Sequence, residues 1–143
     1  ALIDVGADAA TRIISFTVTE AGYYLDSNNK LETSYAELAS DIAGTTRSTI
    51  YGALAAILNE RKRRGGGTLT LLNCDNLRSN GTRFRAGLLD FLAARGEAAL
   101  RQWTETHAAY PAADEAEQLD FGGAKNSSPQ RCLIAAASSV SST

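Results

Sequence analysis

The stretch TLTLLNCDNLRSNG, Thr68 to Gly81, decides how this chain reads. Thr68 to Leu72 is a short uncharged run, preceded by Gly65-Gly66-Gly67, and predicts a buried strand. Asn73-Cys74-Asp75-Asn76 follows at its carboxyl end, and a helical pattern opens a few residues later. In open α/β sheets, ligands bind just past the carboxyl ends of the strands, so these side chains are placed for chemistry. An asparagine amide can donate to a developing alkoxide without changing charge. Losing one such donor costs about 3–4 kcal/mol in an oxyanion-type site. Asp75 can orient neighbours or carry a proton. The same residue types also satisfy turn amides and cap helices, and spacing alone leaves both readings open. Cys74 has no base nearby in sequence and reads as a small buried residue.

Upstream of the glycines lies the strongest helical pattern, Thr45 to Arg64. Ile50, Leu54, Ile57 and Leu58 fall on one face. It closes with Arg61-Lys62-Arg63-Arg64, cations that a helix C-terminus favours by about 0.3–1 kcal/mol each. These residues also suit a phosphate or nucleic-acid partner, but no aromatic residues interleave with them as a single-strand binder requires. The three glycines precede a strand, whereas phosphate-binding glycine loops follow one. No G-x-G-x-x-G occurs in the chain. Ser34 to Ala43 reads as a shorter helix, with Ser34 and Glu37 as a capping box and Gly44 at its end. Further upstream, TRIISFTVT (Thr11 to Thr19) reads as a second buried parallel strand. It runs into Glu20-Ala21-Gly22-Tyr23, where Gly22 permits a turn. Thr17, Thr19 and Glu20 therefore sit where a cofactor crevice opens. Tyr24 to Thr33 is a loop by composition, and Ala1 to Ala10 suits an incomplete helix.

Downstream, Phe84, Leu88, Phe91 and Leu92 repeat the helical spacing. Gly96 breaks it, and Glu97 to His107 continues with Leu100 and Trp103 inward. From Ala108 the composition changes, with Pro111, Pro129, Ser127-Ser128 and a final AAASSVSST. Residues 108–143 read as a low-complexity or frame-shifted tail. The expected fold is α/β: a partial Rossmann-type domain over residues 1–107, with parallel strands and crossover helices, followed by an irregular tail.

Composition narrows the function. The formal net charge of -2 argues against a protein built on phosphate-backbone contacts, so no nucleic-acid partner is expected. No apolar run approaches the roughly 20 residues of a membrane span, and Ala1 to Ala10 carries no secretory pattern. His107 is the only histidine, which rules out a two-histidine zinc site within the chain. It has no G-x-S-x-G turn to serve. Cys74 and Cys132 are expected to stay reduced, in a cytoplasmic setting. The absence of methionine suggests a processed or excised segment.

Three segments together, RIISFTVTEAGYYLD (Arg12 to Asp26), TIYGALAAIL (Thr49 to Leu58) and TLTLLNCDNLRSNG, closely resemble the long-chain mannitol dehydrogenase family of polyol dehydrogenases. Within it the D-arabinitol 4-dehydrogenase branch is nearest, and the uronate reductases are more distant. The resemblance covers residues 1–107. It implies hydride transfer between NAD and a sugar alcohol such as D-arabinitol or a ketose, without a metal. It also implies an N-terminal Rossmann-type domain holding the dinucleotide and a helical C-terminal domain supplying a lysine general base. Asn76 would stabilise the alkoxide beside that lysine. Thr17, Thr19, Glu20, Gly22, Tyr23, Asn73 and Asp75 would lie along the cofactor and active-site cleft.

The family's glycine-rich phosphate loop lies upstream of the matching residues, and its lysine segment lies downstream. Beyond Trp103 the family runs into a Pro-Asn-Ser-Met-Val-Asp-Arg-Ile type motif, which Tyr110-Pro111 and AADEAEQLDFGG do not continue. The chain is thus expected to be an inactive interior fragment of such an enzyme. The alternative is a non-catalytic α/β interaction module, whose exposed sheet edges would favour self-association. The 143-residue chain alone is expected to yield no NADH from D-arabinitol; clear NADH production by the pure chain would overturn that expectation.

Overall fold

The computed structural model of the chain describes residues 1–74 and 80–111, together with the backbone of residues 131–136. Strands β1 (Thr11–Thr17) and β2 (Leu69–Asn73) lie side by side and parallel, with Ile14 opposite Leu71 and Phe16 opposite Asn73. Helix α1 (Leu2–Ala7) precedes β1. Helices α2 (Ala36–Ile42) and α3 (Ile50–Arg63) connect β1 to β2. Helices α4 (Asn80–Ala94) and α5 (Ala98–His107) follow β2 and lead into β3, the two residues Ala108–Ala109. β3 pairs parallel with β2, and β4 (Arg131–Ala136) pairs parallel with β1, giving the order β3-β2-β1-β4. A strand thus forms inside the stretch expected to be an irregular tail. Five of the six residues of RCLIAA are apolar, but the run is short and shows no alternation, and its backbone finds a ladder on the edge of β1.

Side chains alternate across a strand. Ile14 and Phe16 of β1 and Leu69 and Leu71 of β2 accordingly share one face, buried against Leu54, Ile57 and Leu58 of α3 and Phe84, Leu88 and Phe91 of α4. Each such side chain contributes about 1.5–3 kcal/mol by leaving water. Aromatic rings fill the centre: Phe16 lies 4.5 Å from Phe84, and Tyr51 stacks on Phe84 at 5.3 Å. On the other face Ile13, Thr70 and Leu72 are half-buried and Thr17 is exposed.

Arg61 departs from its expected place as a solvated last-turn cation. It is fully buried. Its Nε donates to the Gly67 carbonyl at 2.9 Å, Nη1 to the carbonyls of Gly6 (3.2 Å) and Asp8 (2.8 Å), and Nη2 to that of Thr68 (3.3 Å). One guanidinium thereby satisfies the exit of α1, the approach to β1 and the approach to β2. Arg63 and Arg64 pair instead with Glu60, and Arg64 also with Asp4. The hydrogen bonds from Arg63 and Arg64 draw the Glu60 carboxyl down to about 2.

α3 begins at Ile50 rather than Thr45, because residues 45–49 are spent wrapping Asp41. The fully buried Asp41 carboxylate accepts from the Thr46 hydroxyl, from the Ser48 amide at 2.9 Å, and from the Thr49 amide and hydroxyl, both at 2.7 Å. Thr49 in turn caps α3, its Oγ1 accepting from the Gly52 amide at 3.1 Å. α2 starts at Ala36, behind Tyr35, with no side-chain cap. The capping box expected at Ser34 does not form, since the Ser34 amide donates to Glu32 Oε1 at 3.3 Å instead.

Burial by itself would raise the Asp41 carboxyl; the hydrogen bonds from Thr46, Thr49 and the Ser48 and Thr49 amides outweigh it and hold the group below its ordinary value of 3.8. A carboxyl lowered in the folded state contributes stability that is fully present above the unfolded value and is lost as pH falls through the folded one. Urea titrations are therefore expected to show stability declining as pH drops below about 4. Asp41→Asn is expected to cost about 1.5–3 kcal/mol at neutral pH and to flatten that acid decline. Arg61→Ala leaves one buried and three part-buried carbonyls without their donor and is expected to cost about 2–3 kcal/mol. Arg61→Lys should recover only part of this, because one ammonium cannot span the four acceptors.

Candidate functional site at the carboxyl ends of β1 and β2

Parallel pairing brings the carboxyl ends of β1 and β2 to one edge, and the expected site residues lie on the segments leaving it. β1 ends at Thr17 rather than Thr19. The chain passes through Val18 and turns at once into a single 3-10 turn, Glu20–Tyr23, where the Gly22 amide donates to the Thr19 carbonyl at 2.8 Å. Gly22 was expected for its freedom to turn, but the left-handed residue here is Tyr24, at φ 48°. What favours glycine at 22 is close packing: a Cβ there would stand 3.1 Å from the Cβ of Val18, tight enough that the neighbour would have to give.

At the end of β2 the register assigns opposite fates to neighbours. Asn73 lies opposite Phe16 and faces the helical layer, so it is buried, 1% exposed. Its Nδ2 donates to the Tyr23 hydroxyl, and its carbonyl accepts from Asn80 Nδ2 at 3.0 Å. Cys74 then points the other way. Its amide donates to the Phe16 carbonyl at 2.9 Å, and its thiol is exposed and not in a disulfide. The expectation of a buried cysteine fails because alternation turns it outward once Asn73 has turned in.

The structure thus gathers Thr17, Thr19, Gly22 and Asn73 at one end of the sheet. Thr17 and Thr19 are exposed, whereas Gly22 and Asn73 are buried. The Glu20 backbone lies in the turn. Asp75 and Asn76 fall outside the described residues. Two contributors escaped the sequence reading. Tyr51 donates its hydroxyl to the Tyr23 carbonyl at 2.7 Å, and burial raises its pKa well above the ordinary phenol value, so it stays a donor. Its signal was a hydroxyl on a helical face otherwise made of apolar residues, since buried tyrosines usually find a partner. Asn80, fully buried at the start of α4, was the other; an Asn-Gly pair just before an apolar helical pattern marks such a helix start.

A cavity of about 20 Å³, lined by Val18, Thr19, Gly22, Thr49 and Ile50 among others, lies beside the edge and has room for about one water. It adjoins the N-terminus of α3, where a helix ordinarily attracts anions. Here the Asp41 carboxylate already holds the Ser48 and Thr49 amides, and Thr49 Oγ1 holds that of Gly52. The described edge offers hydroxyls rather than cations. A larger cavity of about 240 Å³, bordered by Ile3, Arg47, Asn59, Arg95 and Glu97, shares no residue with this edge. Among the described residues no three His, Cys, Asp or Glu side chains gather as a metal site would require, and no helix is long and apolar enough to cross a membrane.

Residues 1–114 match the family described as the mannitol dehydrogenase Rossmann domain. The chain is 59% identical over 113 residues to a D-arabinitol 4-dehydrogenase of Ralstonia nicotianae, covering 79% of this chain and 24% of the relative. It is 47% identical over 110 residues to a D-arabinitol 4-dehydrogenase of Klebsiella pneumoniae, covering 77% and 24%. The fold is similar to that of Pseudomonas fluorescens mannitol 2-dehydrogenase, solved as a ternary complex with NAD and D-mannitol. That match has a TM-score of 0.70 and 35% identity, over 76% of this chain and 22% of that one. The chain spans about a quarter of the length of the curated relatives it matches. From the parallel strand pair with its crossover helices, the residues gathered at its carboxyl edge and these matches, it follows that the chain belongs to the mannitol dehydrogenase family and carries part of that family's Rossmann domain.

Proposed function

We propose that these residues serve an NAD-dependent polyol dehydrogenase that moves a hydride between a sugar alcohol and NAD, with D-arabinitol as the substrate to test first. The observation that carries this reading is the edge itself. In a chain of this family, the carboxyl ends of two parallel strands hold exposed Thr17 and Thr19 beside a buried Asn73. The choice of polyol is supported by the two relatives named D-arabinitol 4-dehydrogenase. The choice of cofactor is supported by the NAD complex of the Pseudomonas fluorescens enzyme.

In this reading NAD, when bound, accepts the hydride from the carbinol carbon. Thr17 and Thr19 offer hydroxyls along the cofactor cleft, and Glu20 and Gly22 shape the turn that closes it. Asn73 and Asp75 complete the wall, with Asn73 acting from its buried position. Asn76 donates to the oxygen that gains negative charge as the hydride leaves, and the hydroxyl proton passes to a base on the rest of the polypeptide. No step is assigned to a metal. A cytoplasmic setting suits a chain whose two cysteines, Cys74 and Cys132, lie far apart in sequence.

The test is a completed polypeptide in which residues 1–111 of this chain replace the corresponding quarter of the Ralstonia nicotianae enzyme. D-Arabinitol-dependent NADH formation is expected to persist. Asn76→Ala in that background is expected to lower kcat by about 10²–10³-fold. A folded chimera without turnover, or an Asn76→Ala variant with unchanged kcat, would contradict the reading.

A further inference from the structure

We propose that Tyr23 is a positioning residue of this site: it locks the end of β2 to the turn after β1, and so sets the separation of the two strand ends at which the cofactor and polyol meet. This rests on the functional reading above. Tyr23 is 2% exposed and touches the surface with neither end. Its hydroxyl accepts from Asn73 Nδ2, and its backbone carbonyl accepts from the Tyr51 hydroxyl at 2.7 Å. Asn73, held in this way, accepts Asn80 Nδ2 on its carbonyl at 3.0 Å, and Asn80 Oδ1 accepts the Gly81 amide at 2.7 Å. Four elements are thereby fixed to one another: the 3-10 turn, the end of β2, the first turn of α4 and the first turn of α3.

The turn and the strand end need such a lock. The last ladder contact of the pair, Phe16 with Asn73, lies at the edge, where the Cys74 amide donates to the Phe16 carbonyl at 2.9 Å. The anchor is itself braced from behind. α4 carries glycine at position 87, and a Cβ there would collide with the Tyr51 hydroxyl and ring. Gly87 thus reserves the space that lets Tyr51 reach Tyr23, at a helix-interior position where glycine costs about 1 kcal/mol relative to alanine. Position 87 gives up helix stability and the Tyr51–Tyr23 contact occupies the space.

Tyr23→Phe keeps the ring against Phe84 and removes the hydroxyl that accepts from Asn73. In the completed polypeptide described above, Tyr23→Phe is expected to lower kcat about tenfold or more while the KM for the polyol changes less than about threefold, because misplaced groups lose transition-state rather than ground-state contacts. Tyr51→Phe, which touches neither substrate nor cofactor in this reading, is expected to move kcat in the same direction. Leu100→Ala in α5 serves as the control: it destabilises the core, yet kcat measured on folded protein is expected to hold. Unchanged kcat in Tyr23→Phe, or a kcat loss that Leu100→Ala reproduces at equal stability, would overturn the proposal.

A parent chimera without turnover would count against the functional reading rather than the lock. The lock is then decided on the 143-residue chain by NMR. Slow hydrogen exchange at the Asn73 side-chain amide, abolished in Tyr23→Phe, supports it; fast exchange in both proteins overturns it.

Discussion

The buried Arg61 guanidinium is the interaction on which the rest of the structure depends. A two-strand parallel pair has little intrinsic register, since its ladder is short and its hydrogen bonds are slanted. Arg61 supplies register from outside the ladder. It draws the carbonyls of Gly6 and Asp8, just before β1, and those of Gly67 and Thr68, just before β2, onto one planar group. Both strands thus start from a common point and run the same way for a similar length. A charge so buried is tolerated because its N–H groups meet carbonyl dipoles, and the geometry of those dipoles dictates arginine rather than lysine.

What happens at the amino ends constrains the carboxyl ends. Ile14 meets Leu71 and Phe16 meets Asn73, and the alternation that buries the first three also buries the asparagine. A buried amide must find partners, and it finds the Tyr23 hydroxyl beyond β1. Polar side chains at the edge thus divide by face. The inward one becomes part of the scaffold, and the outward ones, Thr17 and Cys74, remain open to solvent. Asp41 plays a parallel part for α3. It takes up the Ser48 and Thr49 amides just before the helix, beside an edge that carries the Thr17 and Thr19 hydroxyls.

Much of this was legible in the sequence. The two β-branched runs, the apolar faces of α3 and α4 and the glycines that end α3 each obey local rules, and the βαβ order follows from them. Three things were not legible, for one common reason. Arg61 reads as a solvated last-turn cation because its carbonyl partners lie up to 55 positions away. The start of α3 is displaced because a buried carboxylate competes for the amides of residues 48 and 49. Cys74 turns outward because the register with β1, which no local pattern encodes, turns Asn73 inward. β4 was hidden differently: its six residues take their hydrogen bonds from another strand's edge and carry little patterning of their own. At the candidate site, Thr17, Thr19 and Gly22 lie at the carboxyl edge of the strands, and Gly22 packs close to Val18 without a positive φ.

The most direct measurement is a crystal structure of the completed polypeptide with NAD and a sugar alcohol bound. The expected result places the nicotinamide over the carboxyl ends of β1 and β2, with the Thr17 and Thr19 hydroxyls along its cleft, Asn73 still turned inward on Tyr23, and the Asn76 amide on the reacting oxygen. A dinucleotide bound away from these strand ends, or a polyol whose reacting carbon lies out of reach of Asn76, would contradict the account.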